Sequence, residues 1–349
     1  LAQLDPPAAT RTVEMLVNLA RGGCTVVVVE HRLAPFWAAM DRLLLLTDGD
    51  LVDDIDAIDL CPIAISEHGV GVPSEVLFQA IAGSPPHHFV FPQAVPTRPV
   101  PSKSSTDGPD LVIPATRHVY DAAGVPALNI PSISISAGTS VAVLGKNGSG
   151  KSTLLQCASE SCAKDLELEA LRMMAVPQDP DLSLFCATVT AELSFSPREA
   201  RLSKEECERR MQTEAEKYSL IPMLERSPQS LSRGQRGRVA IAAVSTGRPY
   251  TMFLDEPTAG QNRAKILELM AGVRKQMEDG ILVFATHDVE LALSCADRIL
   301  FLQNGHLVFD GTPEEYCHEF TEFRTPWVKQ CVAMGVPFMT PEDLLECLK

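Results

Sequence analysis

The sequence predicts an α/β fold on three observations. A short apolar strand, "VAVL", runs into Gly145-x-x-x-x-Gly150-Lys151-Ser152 and then into the helical stretch "LLQCA". A second apolar strand, within "YTMFLDEP", ends on the acidic pair Asp255-Glu256. The third observation is a repeat: "VVVVEHRLAPFWAAMDRLLLLTDGDLV" and "ILVFATHDVELALSCADRILFLQNGHLV" share one order of features. Each copy reads as an apolar strand, a histidine, a short helix, Asp-Arg, a second strand, a turn and a third strand.

The repeat has one offset. His31 and His287, Arg42 and Arg298, and Gly49 and Gly305 are all separated by 256 residues. A single spacing for three features marks an internal repeat. The turns Asp48-Gly49 and Asn304-Gly305 are pairs that favour two-residue hairpins, because both central positions need φ > 0. The first copy opens on Val26–Val29, four β-branched residues that predict a buried strand delivering His31. Residues 60–108 then become dense in Pro, Ser and Gly, and proline blocks helices and central strands, so this stretch predicts an extended linker. His87-His88 within it has no neighbouring cysteine or carboxylate cluster and reads as a solvated loop rather than a metal site.

Composition removes several classes. A net charge of −15 over 349 residues lacks the basic footprint of a nucleic-acid binder, and its simplest consequence is solubility. Ten cysteines are scattered with no CxxC pair, which fits a reducing compartment. No apolar run approaches the ~20 residues needed to span a bilayer, and no signal peptide is evident. The chain begins at Leu1 rather than Met and reads as a C-terminal fragment.

The second copy carries chemistry that the first lacks. Glycines at the strand-to-helix turn let backbone N–H groups face a phosphate with no Cβ in the way. The helix N-terminus adds positive partial charge. The full pattern in its strand–loop–helix context predicts a P-loop, with Lys151 on the β- and γ-phosphates and Ser152 on Mg²⁺. An acidic pair at the end of a buried strand is costly unless it faces a cation or a catalytic water. Asp255 therefore predicts the Mg²⁺-holding acid, and Glu256 a group that orients and polarises the attacking water. His287, ending another strand, is placed to reach the γ-phosphate edge.

These motifs resemble the ATP-binding-cassette (ABC) ATPases over residues 109–315. "LSRGQ", Leu231 to Gln235, is similar to the family's signature motif, "VPQDP" places Gln178 as its Q-loop glutamine, and "DEPTAG" and "ATHD" resemble the Walker B extension and the histidine switch. The resemblance implies a P-loop NTPase fold with a helical subdomain, preceded by the C-terminal part of a first cassette. It implies that ATP contacts Tyr120 and the P-loop residues Gly145, Lys146, Asn147, Gly148, Ser149, Gly150, Lys151, Ser152 and Thr153. Across an interface, Ser232, Gly234 and Gln235 would reach ATP held by another cassette. Mg²⁺ would be held by Ser152, Gln178 and Asp255, with Glu256, His287 and Gln178 catalytic. Tyr120 as a core or turn residue is an equal alternative.

Within the family, "PQDPDLSLFCATVTAELSF" and "FDGTPEEY" look most like the energising subunits of energy-coupling-factor (ECF) importers for vitamins or cobalt- and nickel-type ions. That likeness implies a peripheral ATPase at the cytoplasmic face of a membrane. Its implied partners are a transmembrane subunit, a substrate-binding membrane subunit and the first cassette of the same parent chain, with no nucleic acid. "LAQLDPP" resembles a D-loop centred on Leu4-Asp5, and His31 a switch histidine, so residues 1–59 read as the remnant of the first cassette. Residues 316–349 read as a C-terminal extension whose last helix opens at Thr340-Pro341. Two positions depart from the pattern: Arg233 stands where the signature has glycine, and Asn262 where the D-loop has Asp. Both would act on the first cassette's nucleotide, so one site of the pair would carry most turnover unless Arg233 is simply tolerated. Ser203-x-x-Glu206 predicts a capping box in the helical subdomain, and Asp179 and Asp181 are either solvated or meet basic groups of a membrane partner. The competing function is a soluble tandem cassette protein acting on ribosomes or nucleic acid.

Overall fold

The computed structural model describes residues 6–30, 33, 36–47, 49–68, 70, 72–74, 76, 77, 80, 108–120, 126–163, 172–257, 263–320 and 325–333. The chain divides into two units, one of residues 1–98, 261–265 and 317–349, the other of residues 99–260 and 266–316.

The first unit contains helix α1 (Pro6–Arg21) and a hairpin of strands β1 (Arg42–Thr47) and β2 (Asp50–Asp56). Helix α2 (Pro62–Glu67) lies inside the stretch predicted to be a linker. Its Ile65 is buried in a cluster with Leu33, Val72 and Leu77. The apolar residues spaced through 60–80 thus outweigh the proline signal, and residues 81–107, with His87-His88, lie outside the described residues. Val26–Val29 forms no strand, and Val27 and Val29 are 80% and 96% exposed. The equivalent strand of the second copy is central in a parallel sheet. A β-branched run becomes a strand only when neighbours complete its ladder, and none pairs with residues 26–29 among the described residues.

The second unit is built on an eight-stranded sheet. Its strands are β4 (Thr116–His118), β5 (Leu128–Ile130), β7 (Ser140–Leu144), β8 (Met173–Val176), β9 (Thr251–Asp255), β10 (Ile281–Thr286), β11 (Arg298–Gln303) and β12 (His306–Gly311), in the order β4-β5-β12-β11-β7-β10-β9-β8. β8, β9, β10, β7 and β11 run parallel. β7 and β10 are buried at every position, which is why they read as unbroken apolar runs. A separate pair, β3 (Leu111–Ile113) with β6 (Ile133–Ile135), joins the same core. Helices α3 (Lys151–Ala163), α7 (Arg263–Gln276) and α8 (Val289–Cys295) follow β7, β9 and β10. All three crossovers bring loops to the carboxyl ends of the parallel strands, where open α/β sheets bind ligands.

A helical arm of α4 (Val189–Glu199), α5 (Lys204–Lys217) and α6 (Arg233–Thr246) lies between β8 and β9 in sequence. Tyr218 is buried between them, its hydroxyl 3.2 Å from Ser245 Oγ, and burial pushes its phenol pKa up. Ser203 caps α5 by accepting from Glu206 N at 3.2 Å. The predicted box stays half made, because the Glu206 carboxylate accepts from Arg209 and Arg210 instead. Those guanidinium groups hold the Glu206 carboxyl down at about 2. Arg210 also donates to Thr246 O at 3.1 Å, at the carbonyl end of α6. Helices α9 (Pro313–Glu319) and α10 (Pro326–Ala333) close the described chain; Thr340-Pro341 lies beyond it.

The two hairpins of the repeat agree in detail. β1 pairs β2 and β11 pairs β12, each antiparallel, with a register shift at Leu45/Leu46 in one and Phe301/Leu302 in the other. Arg42 bridges to Asp54 and Arg298 to Asp310. All of these positions stand at the same 256-residue offset. Their surroundings differ: Leu300 and Leu302 are fully buried, while their counterparts Leu44 and Leu46 are 47% and 63% exposed. Leu300→Ala should therefore cost about 2–5 kcal/mol, a buried side chain lost with a cavity left behind, whereas Leu44→Ala should change stability by no more than about 0.5 kcal/mol. Urea unfolding of the two variants checks the difference, and equal losses would contradict it.

Candidate functional site

The loop between β7 and α3 is shaped by its glycines. A Cβ at Gly145 would stand 2.3 Å from Ser149 Oγ and 2.6 Å from Leu302 O, so no larger residue fits. Gly150 adopts φ +102°, and a Cβ there would meet Ala127 O at 2.8 Å. The turn closes with Ser149 N donating to Lys146 O at 3.1 Å, and α3 starts with Leu154 N on Gly150 O at 2.8 Å. Lys151 is buried and folds back over the loop, donating to Gly145 O at 3.0 Å and Lys146 O at 3.3 Å.

Three strands bring charged groups to this loop. Glu256, one residue past β9, is buried at φ +48°. A non-glycine residue in that region costs of order 1–3 kcal/mol and persists only where its surroundings over-determine it. Here they do. Glu256 N donates to Ala285 O at 3.0 Å, Oε1 lies 3.7 Å from Lys151 Nζ, and Oε2 lies 3.0 Å from His287 Nδ1. The ends of β7, β9 and β10 thus converge on one Lys–Glu–His cluster. Asp255, beside it, has its carboxyl pKa raised by burial and by the charge of Glu256, against the lowering effects of a Ser152 hydrogen bond and of Lys151.

The donor set fits Mg²⁺. Asp255 Oδ1 is a buried acceptor with no hydrogen-bond partner, on a carboxylate bonded to the Ser152 side chain. A hard divalent ion takes oxygen ligands of this kind. Gln178 shares the walls of one cavity with Asp255 and Glu256. Asp255, Ser152 and Gln178 are the residues that would hold the ion.

Tyr120 is exposed, with its hydroxyl 3.1 Å from Thr153 Oγ1 and its ring edge-on to His118 at 4.6 Å. It therefore stands beside the P-loop helix and is not a core residue. The signature residues gather at the start of α6. Ser232 Oγ accepts from Gln235 N at 3.3 Å, and Gln235 Oε1 accepts from Ser232 N at 2.9 Å. This reciprocal capping box was legible as Ser-x-x-Gln, a second meaning of the motif that the resemblance alone passes over; Gly234 is buried behind it. Arg233 walls the cavity that holds Gln178, Asp255 and Glu256.

Asp181 does not stand free: its Oδ1 lies 2.8 Å from Arg236 Nε of α6. Asp179 caps the short turn Pro180–Leu182 through Asp181 N. Glu192 carried no sequence signal beyond an acidic residue in a helix. It is buried, and its carboxylate accepts from Phe185 N at 3.2 Å and Cys186 N at 2.6 Å. Leu4-Asp5, His31 and Asn262 lie outside the described residues.

In metal-free protein, Asp255 burdens the fold. The stability it costs is intact below the ordinary carboxylate pKa, where the group is protonated in folded and unfolded chains alike. That stability is lost as the pH rises through the raised pKa. Asp255→Asn should therefore raise the Tm in chelator by about 2–4 °C at neutral pH, and the gain should vanish as the pH falls below the usual carboxylate range. Thermal melts across pH check this, and a pH-independent difference would count against it.

The chain is similar to known proteins. The ABC transporter family pattern matches residues 128–259. A putative ABC transporter ATP-binding protein of Methanosarcina mazei is 31% identical over 354 residues, covering 89% of this chain, while this chain spans 60% of that protein's length. The energy-coupling factor transporter ATP-binding protein EcfA2 of Symbiobacterium thermophilum is 33% identical over 252 residues, 65% of this chain and 84% of that one. The solved structure of cbiO1 from Clostridium perfringens, part of the ABC transporter complex cbiONQ, matches with a TM-score of 0.51 at 26% identity, covering 60% of this chain and 91% of that one. With these matches on one α/β core, the chain belongs to the ABC transporter family, among its ATP-binding proteins.

Proposed function

We propose that the chain is the ATP-binding and ATP-hydrolysing part of an ECF-type importer, working at the cytoplasmic face of a membrane beside separate membrane subunits. The observation that carries the chemistry is Glu256, buried and bridged to Lys151 and His287 at the mouth of the P-loop. Phosphoryl transfer to water needs positioning and charge stabilisation more than covalent chemistry. The P-loop amides and the α3 N-terminus cradle the phosphates. Lys151 exchanges the carbonyls of Gly145 and Lys146 for phosphate oxygens when nucleotide enters. Glu256, released from that lysine, orients water and accepts its proton, while His287 holds the carboxylate through Oε2. Mg²⁺ bound at Asp255, Ser152 and Gln178 supplies charge neutralisation on the phosphates.

The reading extends to a tandem parent. The matched hairpins support a second cassette of the same kind, as does a relative matched over most of this chain that is itself longer. In that parent, Ser232, Gly234 and Gln235 complete the first cassette's site. No helix among the described residues is long and apolar enough to cross a membrane, and the path for cargo, a vitamin or a metal ion, is assigned to the transmembrane and substrate-binding subunits. Leu182, Phe185 and Phe195 are exposed just beyond Gln178. Phe185 packs edge-on to Phe195 at 4.7 Å and is pinned by Glu192. These apolar side chains suit a membrane subunit's docking helix.

In the intact protein, Glu256→Gln should bind nucleotide and lower steady-state hydrolysis at least about a hundredfold. Lys151→Ala should instead weaken binding of a fluorescent ATP analogue to this chain. Near-normal hydrolysis by the glutamine variant would remove Glu256 from its role, and unchanged affinity in the alanine variant would remove the phosphate cradle.

A further inference from the structure

The signature's departure from the family pattern was expected to act on another cassette's nucleotide. The geometry points to a different role: we infer that Arg233 acts within its own cassette, as a positioning residue that screens the acidic pair Asp255-Glu256 when no metal is held there. The inference rests on the nucleotide-site reading above and deepens it.

Arg233 opens α6, and Gly237 and Ile241 follow at successive turns, so the three share one helix face. That face walls a partly open cavity. Gln178, Asp255 and Glu256 stand in the same walls. Arg233 is half-buried there and does not point wholly into solvent.

Independent contacts hold the helix in this pose. Arg236, on the next residues of the same turn, pairs with Asp181 at 2.8 Å and donates to Leu231 O at 2.7 Å. The Ser232–Gln235 capping box makes the first turn a closed unit, so Arg233 leaves from an ordered helical turn and not from a loose loop.

The charge balance gives the residue something to do. Two adjacent carboxylates end β9, and Asp255 Oδ1 lacks any hydrogen bond. Lys151 is shared between Glu256 and the loop carbonyls. A guanidinium on a residue that shares the walls of this cavity with the acids acts on them through a medium of lower dielectric than bulk water. The planar guanidinium presents several donors in a fixed fork. Polyanionic nucleotide without metal would then meet less repulsion at the acidic pair, and Mg²⁺ would gain less by binding.

The test is the ratio of nucleotide Kd values for this chain measured without and with Mg²⁺, using a fluorescent, non-hydrolysable ATP analogue. A ratio cancels general damage to the fold. Arg233→Gln should raise it about three- to tenfold, while Arg233→Lys, which keeps the charge, should stay within about twofold of the unaltered chain. An unchanged ratio in Arg233→Gln overturns the inference and returns Arg233 to a role across the cassette interface. No nucleotide binding by the unaltered chain under either condition would overturn the nucleotide-site reading, and this inference with it.

Discussion

Everything at the site depends on burying a carboxylate where a carboxylate is least welcome. Glu256 sits at the carboxyl end of a central parallel strand, in backbone geometry that disfavours side chains. It is tolerated because His287 reaches it from the end of the adjacent strand β10 and Lys151 from the loop after β7, one strand farther across the sheet. A buried ion pair of this kind adds little net stability. What it secures is a common location: Lys151, Glu256 and His287 arrive together only if β7, β9 and β10 keep their register. The site is therefore a direct readout of the sheet.

The helical arm is tied to this centre by a second, more exposed set of contacts. The segment after β8 carries Gln178 into the cavity and, three residues on, offers Asp181 to Arg236. Farther along, Glu192 folds back on the same segment and holds the amides of Phe185 and Cys186. One stretch of chain thus touches the acidic pair at one end and presents apolar side chains at the other. Short, hydrogen-bonded links join the two ends.

The local patterns of the site were legible because each is complete within a dozen residues. The P-loop, Asp255-Glu256 and His287 all needed only strand–loop–helix context. What was not legible depends on distant pairs. Asp181 with Arg236 and Arg210 with Thr246 join elements that sequence reading treats separately. Val26–Val29 failed for the opposite reason: its pattern is local, but a strand is a property of its neighbours. The proline-rich stretch was read as uniformly extended, yet Ile65 seats α2 at its start in a cluster with Leu33, Val72 and Leu77.

The backbone angle at Glu256 has a consequence for how this protein tolerates change. Taken alone, the fold would choose glycine at φ +48°, and glycine would also remove a buried charge. Chemistry and conformational preference therefore pull the same codon in opposite directions, and Glu-to-Gly needs only one base. A chain altered in this way would keep its sheet, its P-loop and its signature helix. Cellular quality control senses unfolded chain and not lost turnover, so damage at this position would pass unnoticed.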